Sequence, residues 1–553
     1  MCRWFGPPHF LHENLFIFRK QALILAVVRR VFPILFFALL AALPAPAQLT
    51  LVDVQTVLAQ AVSRAAALTN SPLATNAVVA VTDREGWVLG VWSLNPGVAT
   101  DDPLVAEAIA KAGTAAFLSS GNNAFSSRTA GFIVQQHFPP GIRNTPPGPL
   151  VGVNFSQLGF SDINTFKAPG SVISYGSSPG LTLVAPALPV TGGLEGTPGG
   201  VPLYQNGQLV GGIGVAGNGI PPTEITPAII ANPDSDEDVA LAGQIGFQPT
   251  GGILGSKVFV AGIRLDYIAT QTRPGAVIPF GSLPGINVPP YTPIASPAPF
   301  PYPVVTFGGE TGELRQPIMD DPSVVPLPDG AARLSAGEVT NLITAAANRC
   351  RTTRAGIRLP AGQPAEVFIT VVNNPNENGV APVVLGTFCT ASDATRFSWD
   401  VAVQKARTAV LYSSSNRAYS TRTVGFLAQS LYPPGMNGTP PGPFFGMQEE
   451  VSIITPTSVV ATNPVNGAVF DTATHVDSAA PNGITIFPGG FPLYRNGVLI
   501  GAIGVSGDGV DQDDLISASG AALFLAPVSI RADQTVYRGT RLPFAKFPRN
   551  PGL

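Results

Sequence analysis

Lys111 to Val153 reads KAGTAAFLSSGNNAFSSRTAGFIVQQHFPPGIRNTPPGPLVGV, and Lys405 to Met447 reads KARTAVLYSSSNRAYSTRTVGFLAQSLYPPGMNGTPPGPFFGM. The two stretches align over 43 positions without a gap and share 23 identities. Composition alone does not produce such a match, so the chain carries one structural unit twice. The functional question becomes what that unit does.

Reading outward, Leu51, Val54, Leu58, Ala61 and Ala65 recur at helical spacing within Leu49 to Leu68, and Leu334 to Cys350 is the second copy. Ala77 to Val81 and Trp87 to Trp92 are β-rich runs that read as a hairpin, repeated by Glu366 to Val372 and Val383 to Phe388. A helix opens after Asp101-Asp102-Pro103, where acidic residues and proline suit a first turn. Its stripe of Ala108, Ala112 and Ala115, repeated by Ala402, Ala406 and Ala409, is small enough for the helix backbone to approach a sheet closely.

Past the quoted block, Asn154 to Pro198 and Gln448 to Pro488 share little sequence and read as insertions over a common edge. Similarity returns at Gly199 to Val215 and Gly489 to Val505, where Asn206-Gly207 and Asn496-Gly497 are strong two-residue hairpin signals. Acidic helix starts follow at Asp236-Glu237-Asp238 and Asp511-Gln512-Asp513-Asp514, then a strand candidate around Ile263 or Thr540. Each copy therefore runs helix, hairpin, helix, insertion, hairpin, helix, strand. This order predicts an α+β fold of two tandem repeats, each an antiparallel sheet flanked by helices.

The 553 residues divide on this reading into an export signal at 1–47, a first repeat at 48–270, a Pro-rich semi-rigid linker at 271–330 and a second repeat at 331–553. Arg29 and Arg30 precede the apolar run Val31 to Leu43, and Ala45-Pro46-Ala47 suits a cleavage site, so the mature protein is expected to be periplasmic or extracellular. A membrane anchor is the alternative, but the run is well short of the about 20 residues that span a bilayer. No later segment is long and apolar enough to cross a membrane. Only 12% of residues are charged, net charge is -3, and no basic patch points to nucleic acid.

Cys2 lies in the presumed signal, and the first copy lacks counterparts of both Cys350 and Cys389. Their joint absence there, in an oxidising compartment, predicts a Cys350–Cys389 disulfide, with two buried free thiols as the alternative. Neither cysteine has CxxC spacing, so zinc sites, thioredoxin chemistry and covalent haem attachment have no support.

Few residues carry obvious chemistry. Gly212 to Gly217 fits GxGxxG as a string, but its glycines fall in a hairpin strand rather than between strand and helix, and Ala502 breaks the pattern in the second copy. No HExxH or P-loop is present. Among the histidines outside the presumed signal, His137 aligns with Leu431 and His475 has no counterpart. Arg128 and Arg422 have guanidinium forks suited to a ligand's carboxylates, or equally to tying the following loop to an internal acid. Lys111 and Lys405 share the register of the small stripe, near the sheet's edge, where a snorkelling surface lysine is the plainer expectation. Tyr204 and Tyr494 alternate with leucines and either line a pocket or cap the core.

Taken together, the KAxTA helix (Lys111, Thr114, Ala115; Lys405, Thr408, Ala409), the GGxPL strand (Gly199, Gly200, Pro202, Leu203; Gly489, Gly490, Pro492, Leu493), the IGV-x-G strand (Ile213 to Gly217; Ile503 to Gly507) and the acidic final helix resemble the GlcG/HbpS haem-binding family. The resemblance spans most of both repeats, leaving out the signal, linker and insertions. It implies a helix-flanked antiparallel sheet with profilin-like layering, assembly into homo-oligomers, and binding of haem or a related tetrapyrrole. It also implies a role in haem or iron handling or redox sensing, with haem degradation reported for some relatives.

The usual member is a single short domain, whereas this chain has two with long insertions. Haem needs an apolar slot, an axial ligand and partners for its propionates. Arg128 and Arg422 would pair with propionates. No His, Met or Cys repeats as an axial ligand, which leaves Thr114, Thr408, Tyr204 and Tyr494 as weak oxygen ligands. The leading expectation is an exported haem-binding protein. A haem-degrading enzyme and a non-catalytic structural or interaction protein on the same fold are the alternatives.

Overall fold

Val78 to Asp83 and Gln208 to Ala216 pair antiparallel from Val78↔Ala216 to Asp83↔Gly211, and this central pairing positions the rest of the first copy. In a computed structural model of the chain, the residues described are 48–553 except 136, 143–144, 146–147, 151–171, 175–181, 185–193, 221–226, 298–301, 356–362, 392, 448–459, 463–468, 472–477, 508 and 547–553. The expected export signal and His475 lie outside the described residues.

The first copy opens with α1 (Leu51–Ala66), whose start is closed by reciprocal bonds between Thr50 and Asp53. The hairpin β1 (Val78–Asp83) and β2 (Val88–Ser93) follows. Helix α2 (Pro103–Leu118) is capped by Asp102, whose side chain accepts from the amide of Leu104, with Pro103 in the first turn. Short α3 (Ser127–Ile133) lies in the quoted block. Then come β3 (Gly200–Gln205), β4 (Gln208–Ala216) and α4 (Ser235–Gly243). Asn206 and Gly207, at φ 51° and 77°, make the two-residue turn expected between β3 and β4.

The region read as a linker is structured. Ile286–Asn287 forms β5 against Trp92 and Ser93 of β2, giving the sheet order β3-β4-β1-β2-β5. Val304–Phe307 and Glu310–Gln316 form β6 and β7, which join the second copy. The outer strand of each hairpin would otherwise present a row of unpaired amides and carbonyls, and the connecting segment covers both. Its proline content had suggested a spacer, but the prolines fall between these short strands.

The second copy repeats the order with α5 (Ala336–Thr352), β8 (Phe368–Asn373), β9 (Val384–Cys389), α6 (Phe397–Leu411), α7 (Thr421–Leu427), β10 (Gly490–Arg495), β11 (Val498–Ser506) and α8 (Val510–Ala521). Its sheet runs β6-β7-β9-β8-β11-β10 with every pairing antiparallel. The final strand candidates are two-residue strands, Ile263–Arg264 and Thr540–Arg541, in separate hairpins. Within the insertions the described parts include a small hairpin each, Val172–Ser174 with Thr182–Val184 and Val460–Thr462 with Val469–Asp471, and the returning ends 194–198 and 478–488.

The alanine stripe acts as expected. A Cβ added at Gly214 would lie 2.1 Å from the carbonyl oxygen of Ala108, and one at Gly504 would lie 2.1 Å from that of Ala402. Glycine on the sheet and alanine on the helix thus bring α2 onto β4 and α6 onto β11 nearly backbone to backbone. This contact explains the run that resembled a dinucleotide fingerprint.

Gln48 to Leu553 form one compact unit. The β1–β2 turn of the first copy supplies Glu85, which pairs with Arg315 of β7 at 2.8 Å and with Arg396, just before α6, at 2.6 Å. Asp393 takes Arg84 at 2.8 Å and the amide of Gly121 at 2.8 Å. The Arg315 guanidinium also lies 4.2 Å from the ring centre of Tyr302 and 5.6 Å from that of Trp399.

Cys350 and Cys389 are free thiols, which corrects the disulfide expectation. Both are fully buried. The Cys350 thiol donates to the carbonyl of Ala365 at 2.8 Å, and that of Cys389 to the carbonyl of Ala391 at 3.1 Å. The two sulfurs bond to different carbonyls, and each packs as a small apolar group.

Candidate functional site

The repeated block places its two cations under the sheet edge, against the acidic start of the last helix. Lys111, on the inner face of α2, is fully buried and contacts Asp236 Oδ2 at 2.9 Å and Glu107 Oε1 at 2.7 Å. Lys405, equally buried on α6, donates to Asp513 Oδ2 and to the carbonyl of Val505, both at 2.8 Å. The expectation of snorkelling surface lysines is therefore corrected. The Gly–Ala contact draws both helices so close that the lysine stem has no path to solvent, and each ammonium finds its counter-ion inside. Burial opposes the Lys111 ammonium, but Asp236 and Glu107 outweigh it and hold the group above its ordinary range.

Arg128 on α3 is also fully buried, with its fork closed on Glu237: Nε to Oε1 at 2.7 Å and Nη2 to Oε2 at 3.0 Å. Its Nη1 donates to the carbonyl of Ile230. Glu237 Oε2 accepts the amides of Ala269 and Thr270 as well, so this pair ties the end of the first copy to its middle. Arg422 repeats the arrangement, with Nε to Asp514 Oδ2 at 2.9 Å and Nη2 to Asp511 Oδ1 at 2.8 Å. Here the copies diverge, because the Arg422 side chain is 20% exposed and Lys546 joins it at Asp511.

The hydroxyl candidates are committed internally too. Thr114 Oγ1 donates to the carbonyl of Ala110 and accepts the amide of Glu195 at 2.7 Å, while Thr408 Oγ1 accepts the amide of Thr485 at 3.1 Å. Tyr204 donates to the carbonyl of Ser120 at 2.6 Å, and Tyr494 is bonded to the carbonyls of Ser414 and Arg417 at 2.8 and 2.9 Å. These tyrosines cap the core over the Ser-Asn loops of the repeated block. Half-buried His137 places Nδ1 3.1 Å from the carbonyl of Thr145, a loop contact.

The sequence singled out the cations but missed their partners. Asp236, Glu237, Asp513 and Asp514 had been read only as helix-start acids, and Glu107 and Glu195 not at all. Glu107 was detectable in principle, four residues before Lys111 on one helix face. Glu195 was not, since it follows an insertion and reaches the cluster only through tertiary packing. It helps line a small, otherwise apolar cavity with Leu118, Ala130, Val134, Leu150, Leu194 and Gly196. Burial, reinforced by Glu107, pushes its carboxyl up to about 7.

Residues 366–522 match the model of the HbpS-like family, described as haem degrading protein HbpS-like. The second copy matches the HbpS-like family over that stretch. The match contains α6, α7 and α8, and with them Lys405, Thr408, Arg422, Tyr494, Asp513 and Asp514.

Among solved structures, PduOC in complex with haem is 22% identical and aligns over 35% of this chain and 98% of that one, with a TM-score of 0.22. A double mutant of HbpS from Streptomyces reticuli is 19% identical over 36% and 98%, with a TM-score of 0.20. Protein ORFY of Klebsiella pneumoniae is 16% identical over 36% and 95%, with a TM-score of 0.21. No curated protein matches the chain.

In the folded chain the eight candidates are all engaged internally. Both guanidinium groups are neutralised by acids of the same chain, and the threonine and tyrosine oxygens are bonded to the backbone. No group of His, Cys, Asp and Glu able to hold a metal ion occurs among the described residues.

Proposed function

We propose that the HbpS-like second copy binds haem or a related tetrapyrrole, and that the first copy is its structural partner. The family match over residues 366–522 carries this reading. The difference between the copies supports it, because solvent reaches Arg422 beside Lys546 while Arg128 is sealed in. A ligand carboxylate arriving there would compete with Asp511, itself 42% exposed, for the same guanidinium. Export through the 1–47 segment and a role in haem or iron handling belong to the same proposal.

A non-catalytic interaction protein is the second reading, favoured by the internal commitment of all eight candidates. Titrating the purified protein with haemin separates the two. The expected result is a shifted Soret band saturating near one haemin per chain, and no shift at stoichiometric haemin overturns the proposal. Loss of that band on adding reductant would instead point to haem degradation. With Arg422→Ala, unchanged haemin affinity would remove that residue from the site.

A further inference from the structure

The two copies fill the space under the sheet edge differently. Glu107 in the first copy is replaced by Val401 in the second, and Glu195 by Thr485, whose amide makes the same bond to Thr408 that the amide of Glu195 makes to Thr114. The first copy thus holds Glu107, Glu195 and Asp236 around the single ammonium of Lys111, and each of these side chains belongs to a buried residue. Asp234, the cap of α4, stands next to Asp236, and its own side chain accepts the amides of Asp236 and Glu237. The nearby cation of α3, Arg128, is already neutralised by Glu237.

One ammonium cannot balance three buried carboxylates, and an uncompensated charge out of water is expensive enough that the group takes up a proton instead. Lys111 touches Glu107 and Asp236 directly. Glu195 has instead the amide of Thr197 at 2.7 Å and an apolar cavity wall. Oδ1 of Asp236 has no hydrogen-bond partner among the described residues, so the cluster is short of protons to donate. The second copy, with valine and threonine at these positions, lacks the counterparts of Glu107 and Glu195.

We propose that the first copy is a proton-loaded module, in which the Glu195 carboxyl holds a proton in mildly acidic medium and, on losing it as the medium turns alkaline, loosens the packing of residues 194–197 on α2. The geometry sets the sign. Glu195 takes its proton more readily in the folded protein, where it is pushed up to about 7, than in the unfolded chain, where a glutamate titrates near about 4.3. Its contribution is therefore present in acid and is lost as the pH rises through that interval, whereas an exposed carboxylate paired with a cation shows the opposite trend.

The test compares urea midpoints of the full chain and of Glu195→Gln between about pH 5 and about pH 8. The wild-type midpoint should fall across this range, and the permanently neutral variant should fall less steeply, the remainder coming from Asp236, which burial raises in the same direction. An infrared band of protonated carboxyl present at mildly acidic pH should also weaken in Glu195→Gln. Glu195→Thr, carrying the residue of the second copy, should flatten the profile as well, and Thr485→Glu should steepen it. An unchanged slope in Glu195→Gln, or an infrared band unaffected by that substitution, would overturn the proposal.

Discussion

Lys111 Nζ and Asp236 Oδ2 lie 2.9 Å apart in the first copy, and Lys405 Nζ and Asp513 Oδ2 lie 2.8 Å apart at the matching place in the second. The most conspicuous cations of the repeated block thus join the middle of each copy to its last helix. A buried ion pair is an uncertain source of net stability, but removing one partner strands the other charge. Lys405→Met should lower unfolding free energy by about 3–5 kcal/mol, and Lys405→Met with Asp513→Leu should recover much of the loss. Urea denaturation of the two variants checks this, and a double variant no better than the single one would refute it.

The arginine pairs should differ in cost because water reaches only one of them. Arg128→Met strands Glu237 in the interior and should cost about 3–5 kcal/mol, whereas Arg422→Met should cost less, because solvent can screen Asp511 and the buried Asp514 keeps the amide of Lys546. Equal midpoints in parallel urea titrations would contradict this.

Backbone proximity makes a sharp prediction for the glycines under the helices. Gly214→Ala and Gly504→Ala each put a methyl group where a carbonyl oxygen stands 2.1 Å away, so the helix must move off the sheet. Each should destabilise by about 1–3 kcal/mol or more, in line with overpacked cores. Gly251→Ala, with open space around its Cβ position, should leave the thermal midpoint nearly unchanged.

Free thiols have a direct assay. Burial pushes the Cys389 thiol up to about 11, and burial raises that of Cys350 as well. Both should resist alkylation in the folded protein and react after unfolding without reductant. Absence of reactive thiol in the unreduced, unfolded chain would restore the disulfide.

Glu85 should govern how the copies unfold together. Glu85→Ala removes the carboxylate that Arg315 and Arg396 share at the junction and leaves Arg315 its pair with Glu313, at a cost of about 1–3 kcal/mol. Calorimetry should show the transition moving down and broadening or splitting. A sharp transition at the wild-type temperature would show that the junction does not depend on this carboxylate.

Much of the architecture was legible in the chain itself. The gapless repeat of the block at Lys111 and Lys405 revealed two copies, period-two and helical runs placed the main hairpins and helices, Asn206-Gly207 and Asn496-Gly497 marked their turns, and the alanine stripe foretold close packing on the sheet. These features are local: spacing, turn residues and side-chain size act within a few positions. The partners of the charges were not local. Asp236 lies 125 residues from Lys111, and Glu237 lies 109 from Arg128. Nothing in the spacing shows that helix-start acids will face inward. Only the folded chain decides which buried ammonium meets which carboxylate, that no described cation touches Glu195, and that a Pro-rich connector covers one edge of each sheet, because these depend on how much water the final packing leaves around each group.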